Sequence, residues 1–284
     1  MPMSSSPSPS LTERPPLTDR EALRRQRRRA MLQGHVDILH RIAAAELKDR
    51  LSEVNRDFRA PVVVTGFPGF WSAEFPQARV VSDDPVLDLT PASHDLVVHA
   101  MALHWADDPV GQIVQSSRAL REDGLFIAVC FGGQTLHEAR AAIAQAEAEV
   151  TGGLSPRILP MGEIRDMGAL LARAGLALPV ADLVSQRASY RDLLHLAHDL
   201  RAMGEGNAMA ARLRRPTRRE VFARAGAIYA QAHPDRDDPS RIQASFDLVF
   251  LTGWAPSETQ QKPLRPGSAQ KSLADALNEI RNKS

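Results

Sequence analysis

The side chains able to do chemistry in this 284-residue chain gather at the ends of short apolar runs. His99, His104 and Trp105 close or follow the run Asp95 to Ala100, at the strand edge where open α/β sheets hold their ligands. There His104 can face a substrate with Trp105 as a pocket wall, or His104 can be a hydrogen-bonded rim residue with Trp105 packed on the next helix. Gly66 and Gly69 lie three apart after the run Pro61 to Thr65, and a glycine lets a backbone approach a ligand closely. Asp83 ends Val80-Val81-Ser82, where a carboxylate can accept hydrogen bonds from hydroxyl groups. Arg157 follows Ser155-Pro156, a fixed turn that presents its guanidinium to a carboxylate or a partner. Arg140 and Glu147 share one face of a predicted helix; a solvated face is the expected reading, and contact with a polar substrate the alternative. The nine histidines show no metal-ligand spacing, so no metal is expected.

The elements that must position these residues are legible in the apolar pattern. Asp95 to Ala100 and Gly124 to Cys130 are short runs rich in Val and Ile, which read as fully buried strands. Between them Pro109 to Leu120 is a helix opened by Asp107-Asp108, so the three form a β-α-β unit in an α/β protein. Pro61 to Thr65 is a first strand, and an apolar stripe from Val36 to Val54 is a helix or helix pair covering the sheet. Further helices are expected over Gln134 to Val150, Glu163 to Ala174, Tyr190 to Met203 and Arg219 to Gln231. Strands are expected near Ala177 to Leu183 and over Ser245 to Thr252.

On these residues a resemblance rests. Ser93-His-Asp-Leu-Val-Val-His-Ala-Met-Ala-Leu-His-Trp105, Arg118-Ala-Leu-Arg-Glu-Asp-Gly-Leu-Phe126 and Phe131-Gly-Gly-Gln-Thr-Leu136 resemble the class I S-adenosylmethionine methyltransferases. More narrowly, the chain is similar to the methyltransferase-like assembly factors of respiratory complex I, relatives of the biotin-pathway carrier-protein methyltransferase. Gly152-Gly-Leu-Ser-Pro-Arg157, Met203-Gly-Glu-Gly-Asn207, Gly253-Trp254, Gln260-Gln-Lys-Pro263 and Gly267-Ser-Ala269 carry that narrower likeness, which covers roughly residues 19 to 275. It implies a Rossmann-like, mostly parallel sheet with helices on both faces, shortened in its N-terminal half. It also implies S-adenosylmethionine as the cofactor, held by Gly66, Gly69, Asp83 and the strand end at His99.

The sequence departs from the family at that cofactor site. Val64 stands where the family has an acidic residue, and Pro68 where a further glycine is usual, which removes one N–H donor. Only Phe70 to Ala78 separates the glycine turn from the strand ending at Asp83, enough for one short helix; a further strand and helix would need about 20 more residues. Either Asp83 is the later, adenine-side carboxylate and the second strand is lost, or Asp83 is the ribose carboxylate and the third strand is lost.

Two functions are therefore carried forward. The expected one is a methyltransferase-like protein with an eroded cofactor site that assists assembly or modification of a respiratory NADH dehydrogenase subunit, including hydroxylation of an arginine in an iron-sulfur subunit. The alternative is an active S-adenosylmethionine-dependent methyltransferase on a small-molecule, carrier-protein or protein substrate, with His104 and Arg157 the catalytic candidates.

A formal charge of +1 and 43% apolar residues describe no strongly basic nucleic-acid binder, and no nucleic-acid partner is expected. Arg24, Arg25, Arg27, Arg28 and Arg29 read as a solvated helix face, with docking on anionic lipid, as a peripheral membrane contact, or on nucleic acid the alternative. No apolar run approaches the roughly 18 residues a membrane span needs. The single cysteine, Cys130, falls inside a predicted strand and reads as a structural thiol. Residues 1–17, rich in Ser and Pro at their start, read as a disordered tail; residues 18–256 form the domain, with inserted helices over about 185–235, and 257–284 a C-terminal extension. A bacterial cytoplasm is the expected location, with the mitochondrial matrix the alternative against which Glu13, Asp19 and Glu21 weigh.

Overall fold

A computed structural model describes Pro15 to Gln260; the tail expected before Pro15 and the motifs and short helix expected after Gln260 lie outside the described residues. Two helices, α1 (Arg20–Gln33) and α2 (Ile38–Glu53), precede β1 (Pro61–Thr65). Asp19 starts α1 by accepting a hydrogen bond from the Ala22 N–H, one of the free amides of a first helical turn. After β1 come α3 (Pro68–Glu74), β2 (Arg79–Ser82) and β3 (His94–Ala100), then a single 3-10 turn at Leu103–Trp105. The chain continues through α4 (Pro109–Ala119), β4 (Leu120–Gly132), α5 (His137–Thr151), α6 (Ile164–Arg173) and β5 (Ala177–Tyr190). It closes with α7 (Leu193–Ala202), α8 (Arg219–Ala232) and β6 (Ile242–Trp254).

The six strands make one sheet in the order β2-β1-β3-β4-β6-β5. Pairings among β2, β1, β3 and β4 are parallel, whereas β6 runs antiparallel to both β4 and β5. The sheet is thus mixed, with a parallel half that carries the β-α-β units and an antiparallel half closed by the long pair β5 and β6, which α7 and α8 connect. Doubly wound sheets have the order 3-2-1-4-5-6. Removing its outermost strand leaves the order seen here, with β6 inserted between the last two strands. Val62 to Thr65 of β1 lie in register with Arg79 to Ser82 of β2, so β2 is the second strand and the third strand is the one deleted. Of the two alignments left open by the sequence, the one placing Asp83 at the end of the second strand holds.

Strand alternation divides the core into two layers. Val63, Val98, Ile127 and Phe250 face α2, α5, α7 and α8, while Val62, Val97, Phe126, Cys130 and Leu251 face α4 and α6. Burial pushes the Cys130 thiol up to about 12, an inert packing group. Helix α1 lies across the C-terminal edge of the sheet, where Ala22 and Leu23 pack with Trp105, Ala208 and Met209. Two non-glycine residues leave strands there in the left-handed region, Met101 at φ 50° after β3 and Leu136 at φ 53° before α5. Such backbone costs about 1–3 kcal/mol and collects where strands hand over to a site.

Candidate functional site

The C-terminal edge of the sheet carries two differently built regions. Over β1 and β2, the residues expected to hold a cofactor are engaged with one another. The Arg27 side chain turns inward from α1, and its Nη1 donates to both Asp83 oxygens at 2.9 Å, with both side chains 4% exposed. Arg20 adds Nη2 to the Asp83 carbonyl oxygen at 2.5 Å and Nη1 to its carboxylate at 3.4 Å. Burial raises the Asp83 pKa, but the charges of Arg27 and Arg20 and the hydrogen bond from Arg27 outweigh it, and the carboxyl lies below its ordinary range. The arginine run of α1 is therefore not a uniformly solvated face: Arg24, Arg25, Arg28 and Arg29 are exposed, and Arg27 is buried.

Gly66 shows why a side chain is missing at the turn. A Cβ there would lie inside the Arg27 guanidinium, so the space that a nucleotide would use above Gly66 holds this chain's own arginine. Arg27 also stands 5.5 Å over the Phe67 ring, against which His35 stacks at 4.6 Å and His40 lies edge-on at 4.7 Å. Gly69 lies in the first turn of α3 with open space around it. Pro68 is the first residue of α3, so the N–H it lacks is one that the helix leaves free. His99 is fully buried below this layer, its Nε2 donating to Gln112 Oε1 at 2.6 Å, while Gln112 Nε2 donates to the Asp83 and Asp84 carbonyls. Burial holds His99 neutral, with its pKa below the usual histidine value. The residues present do not fit S-adenosylmethionine in this arrangement. The Asp83 carboxylate stands at the end of β2, but its acceptors and the volume over the glycine turn are taken by Arg27.

Over β3 and β4 the edge is open. A cavity of about 220 Å³ lies between α5, α7 and α8, walled by Leu136, Ile143, Leu196, Leu200 and Phe222, with Trp105 and Glu205 also lining it. Glu205 sits in the turn after α7, and its Oε2 accepts from Trp105 Nε1 at 2.7 Å and meets His104 Nε2 at 3.2 Å. Its Oε1 is buried without a hydrogen-bond partner among the described residues. The Glu205 side chain is 8% exposed, and burial opposes its ionisation. The charges of His104 and Arg27 and the bonds from His104 and Trp105 prevail, so the carboxyl stays below its ordinary range and is an anion. Arg157, at the cavity edge, is committed to Glu147 and to Thr217 Oγ1 at 2.6 Å. Glu147 is buried by that pairing, and Arg140 donates to the Leu159 carbonyl at 3.1 Å, so neither is part of a solvated face. The structure thus joins His104 and Trp105 to Glu205, about a hundred residues away and not singled out by spacing. Only its place in the Met203-to-Asn207 string marked it. Among the described residues no group of three His, Cys, Asp or Glu side chains is arranged to hold a metal ion.

Strand order and site place this chain among the class I methyltransferase-like proteins. It is a homologue of the methyltransferase-like NDUFAF5 proteins. The protein named arginine-hydroxylase NDUFAF5, mitochondrial, is 37% identical over 193 residues in Dictyostelium discoideum, covering 68% of this chain and 44% of that one. In Homo sapiens it is 31% identical over 229 residues, covering 81% and 65%. The malonyl-(acyl-carrier protein) O-methyltransferase of Laribacter hongkongensis is 30% identical over 190 residues, covering 67% and 61%. The chain therefore spans from under half to about two thirds of the length of these relatives. No family model matches it. Among solved structures, YcgJ of Bacillus subtilis superposes at a TM-score of 0.47 with 10% identity, covering 76% of this chain and 99% of that one, and adds nothing to what the strand order shows.

These relatives correct one expectation. The NDUFAF5 proteins are mitochondrial, which favours a mitochondrial location over the bacterial cytoplasm. Of the acidic residues weighed against a presequence, Glu13 lies outside the described residues, and Asp19 and Glu21 misled for a structural reason. Asp19 caps α1 and binds Arg212 at 2.9 Å, and Glu21 lies in the first turn of that helix, so both belong to the folded domain.

Proposed function

We propose that this protein is a methyltransferase-like assembly factor that receives one cationic side chain of a partner polypeptide in the Trp105–Glu205 cavity. The observation that carries the reading is the unpartnered, buried Glu205 Oε1 in a cavity of mostly apolar walls, whose other polar lining is Arg157, Arg201, Asn207 and Thr217. A buried anion with a free acceptor is costly, and a guanidinium entering along the apolar wall offsets that cost. Trp105 lines the same cavity, where an aromatic ring attracts a cation. At about 220 Å³ the cavity falls below the roughly 300–1,000 Å³ of small-molecule pockets, which suits a single side chain better than a nucleotide. The NDUFAF5 name supports an arginine as that side chain, and the family resemblance supports an iron-sulfur subunit of a respiratory NADH dehydrogenase as its owner. His104 and Trp105 orient Glu205 in this reading, and Arg157 holds the α5 side of the cavity through Glu147.

A photocrosslinker at Leu200 or Phe222, on the cavity wall, tests it in mitochondria. Recovery of an NADH dehydrogenase subunit, abolished in Glu205→Gln, is expected. Recovery of an acyl carrier protein alone would reject the reading.

The second reading, an active methyltransferase, is supported by one observation: Asp83 directly follows β2, from where its carboxylate would receive a ribose. It requires Arg27 to leave Asp83 when the cofactor enters.

A further inference from the structure

A second concavity, of about 310 Å³, opens beside the first and shares Arg201, Gly206 and Asn207 with it. Arg25, Arg29 and Arg212 complete its charged lining, and no carboxylate lines it. Arg212 is held by Asp19 and Arg25 reaches Glu21 at 3.4 Å, whereas Arg29 and Arg201 are exposed and have no salt-bridge partner among the described residues. The groove is therefore a cationic wall beside a cavity that holds the Glu205 anion. We infer that it is the seat of an acidic stretch of the partner polypeptide, flanking in sequence the cationic side chain that enters the cavity. This rests on the cavity reading proposed above.

The lining decides between partners. No aromatic side chain lines the groove for a base to stack on, which disfavours single-stranded nucleic acid. Gly206, by contrast, has neither its N–H nor its C=O bonded among the described residues, so the wall between the two concavities offers main-chain groups to an extended segment. Charge along such a segment would alternate with the site: arginine into the Glu205 cavity, Asp or Glu onto Arg29 and Arg201.

Fluorescein-labelled short peptides test this on the full chain by anisotropy. One has a single arginine followed by glutamates, a second replaces the glutamates by glutamines, and a third replaces the arginine by norleucine. Glutamates are expected to tighten binding about tenfold over glutamines, and Arg29→Gln with Arg201→Gln to erase that difference and flatten the salt dependence. Both substitutions are at exposed residues, so an unchanged melting temperature certifies the fold. Equal affinity for the glutamate and glutamine peptides overturns the groove while leaving the cavity reading intact. Equal affinity for the arginine and norleucine peptides rejects the cavity reading, with the glutamate effect still measured on its own. Anionic vesicles or an oligoribonucleotide bound more tightly than the glutamate peptide, and released by the same double substitution, would also overturn it, as would failure of every peptide to bind.

Discussion

The edge of the sheet over β1 and β2 and the edge over β3 and β4 solve the same physical problem in opposite ways. Each carries a buried carboxylate, Asp83 in the first and Glu205 in the second. Asp83 is fully occupied by arginines of α1, and the glycine turn beneath is filled by the same guanidinium. Glu205 keeps one oxygen without a partner among the described residues and lines an open cavity of mostly apolar walls. One carboxylate is satisfied from within and the other is not, and the proposed binding site therefore lies in the second region. The deleted strand belongs to the first.

The largest expected effect tests the closed region. Asp83→Ala leaves the buried Arg27 charge without its partner and should cost about 3–5 kcal/mol in urea denaturation, whereas Arg27→Met combined with Asp83→Leu should recover most of it. A loss below about 1 kcal/mol would show that this pair does not hold the region shut, and the contrast would fail.

The next effect is a pH dependence. His40 accepts a hydrogen bond from Trp71 Nε1 at 3.1 Å and is buried, which carries its pKa from 6.5 down to about 3. An unfolded chain binds that proton below pH 6.5 and the folded chain does not, so stability is whole above pH 6.5 and declines until about pH 3. Between pH 7 and pH 4 the loss from His40 should be roughly 3 kcal/mol. The depressed Asp83 adds loss in the same direction as pH falls through its folded pKa. His40→Asn keeps an acceptor for Trp71 and should flatten the profile; a variant profile parallel to the original would remove His40 from the account.

Cofactor affinity sharpens the comparison further. Charge-assisted hydrogen bonds are worth about 1.5–3 kcal/mol each, and Arg27 already holds those of Asp83. S-adenosylmethionine should therefore bind on the order of 100 μM or weaker by calorimetry. Low-micromolar binding that Asp83→Asn abolishes would return the active methyltransferase to first place. The smallest effect is at the open region: Glu205→Gln keeps an acceptor for Trp105 and loses the charge that His104 and Arg27 favour, so stability should fall by about 1 kcal/mol. A severe loss would make Glu205 a structural residue and undercut the cavity reading.

Most elements were legible because their causes are local. Alternation and apolar runs marked β1, β3 and β4, Asp108-Pro109 marked the start of α4, and the count of residues between Gly69 and Asp83 showed that a strand was missing. Element ends were less legible where a partner strand decided them. β5 extends to Tyr190, into residues that read as the start of α7, because β6 offers them hydrogen bonds through Ile242.

What the sequence determined by itself is thus the α/β class, the resemblance that identified the family, and the set of polar residues near strand ends. Three matters were decided only by the tertiary structure. Pairing of β2 with β1 settled which strand was lost, because register is a property of two segments. The inward turn of Arg27 separated it from four neighbouring arginines of identical chemistry, since only the fold brings Asp83 beneath it. Glu205 met His104 and Trp105 across about a hundred residues, and no local spacing encodes a contact whose energy comes from burying both ends at once.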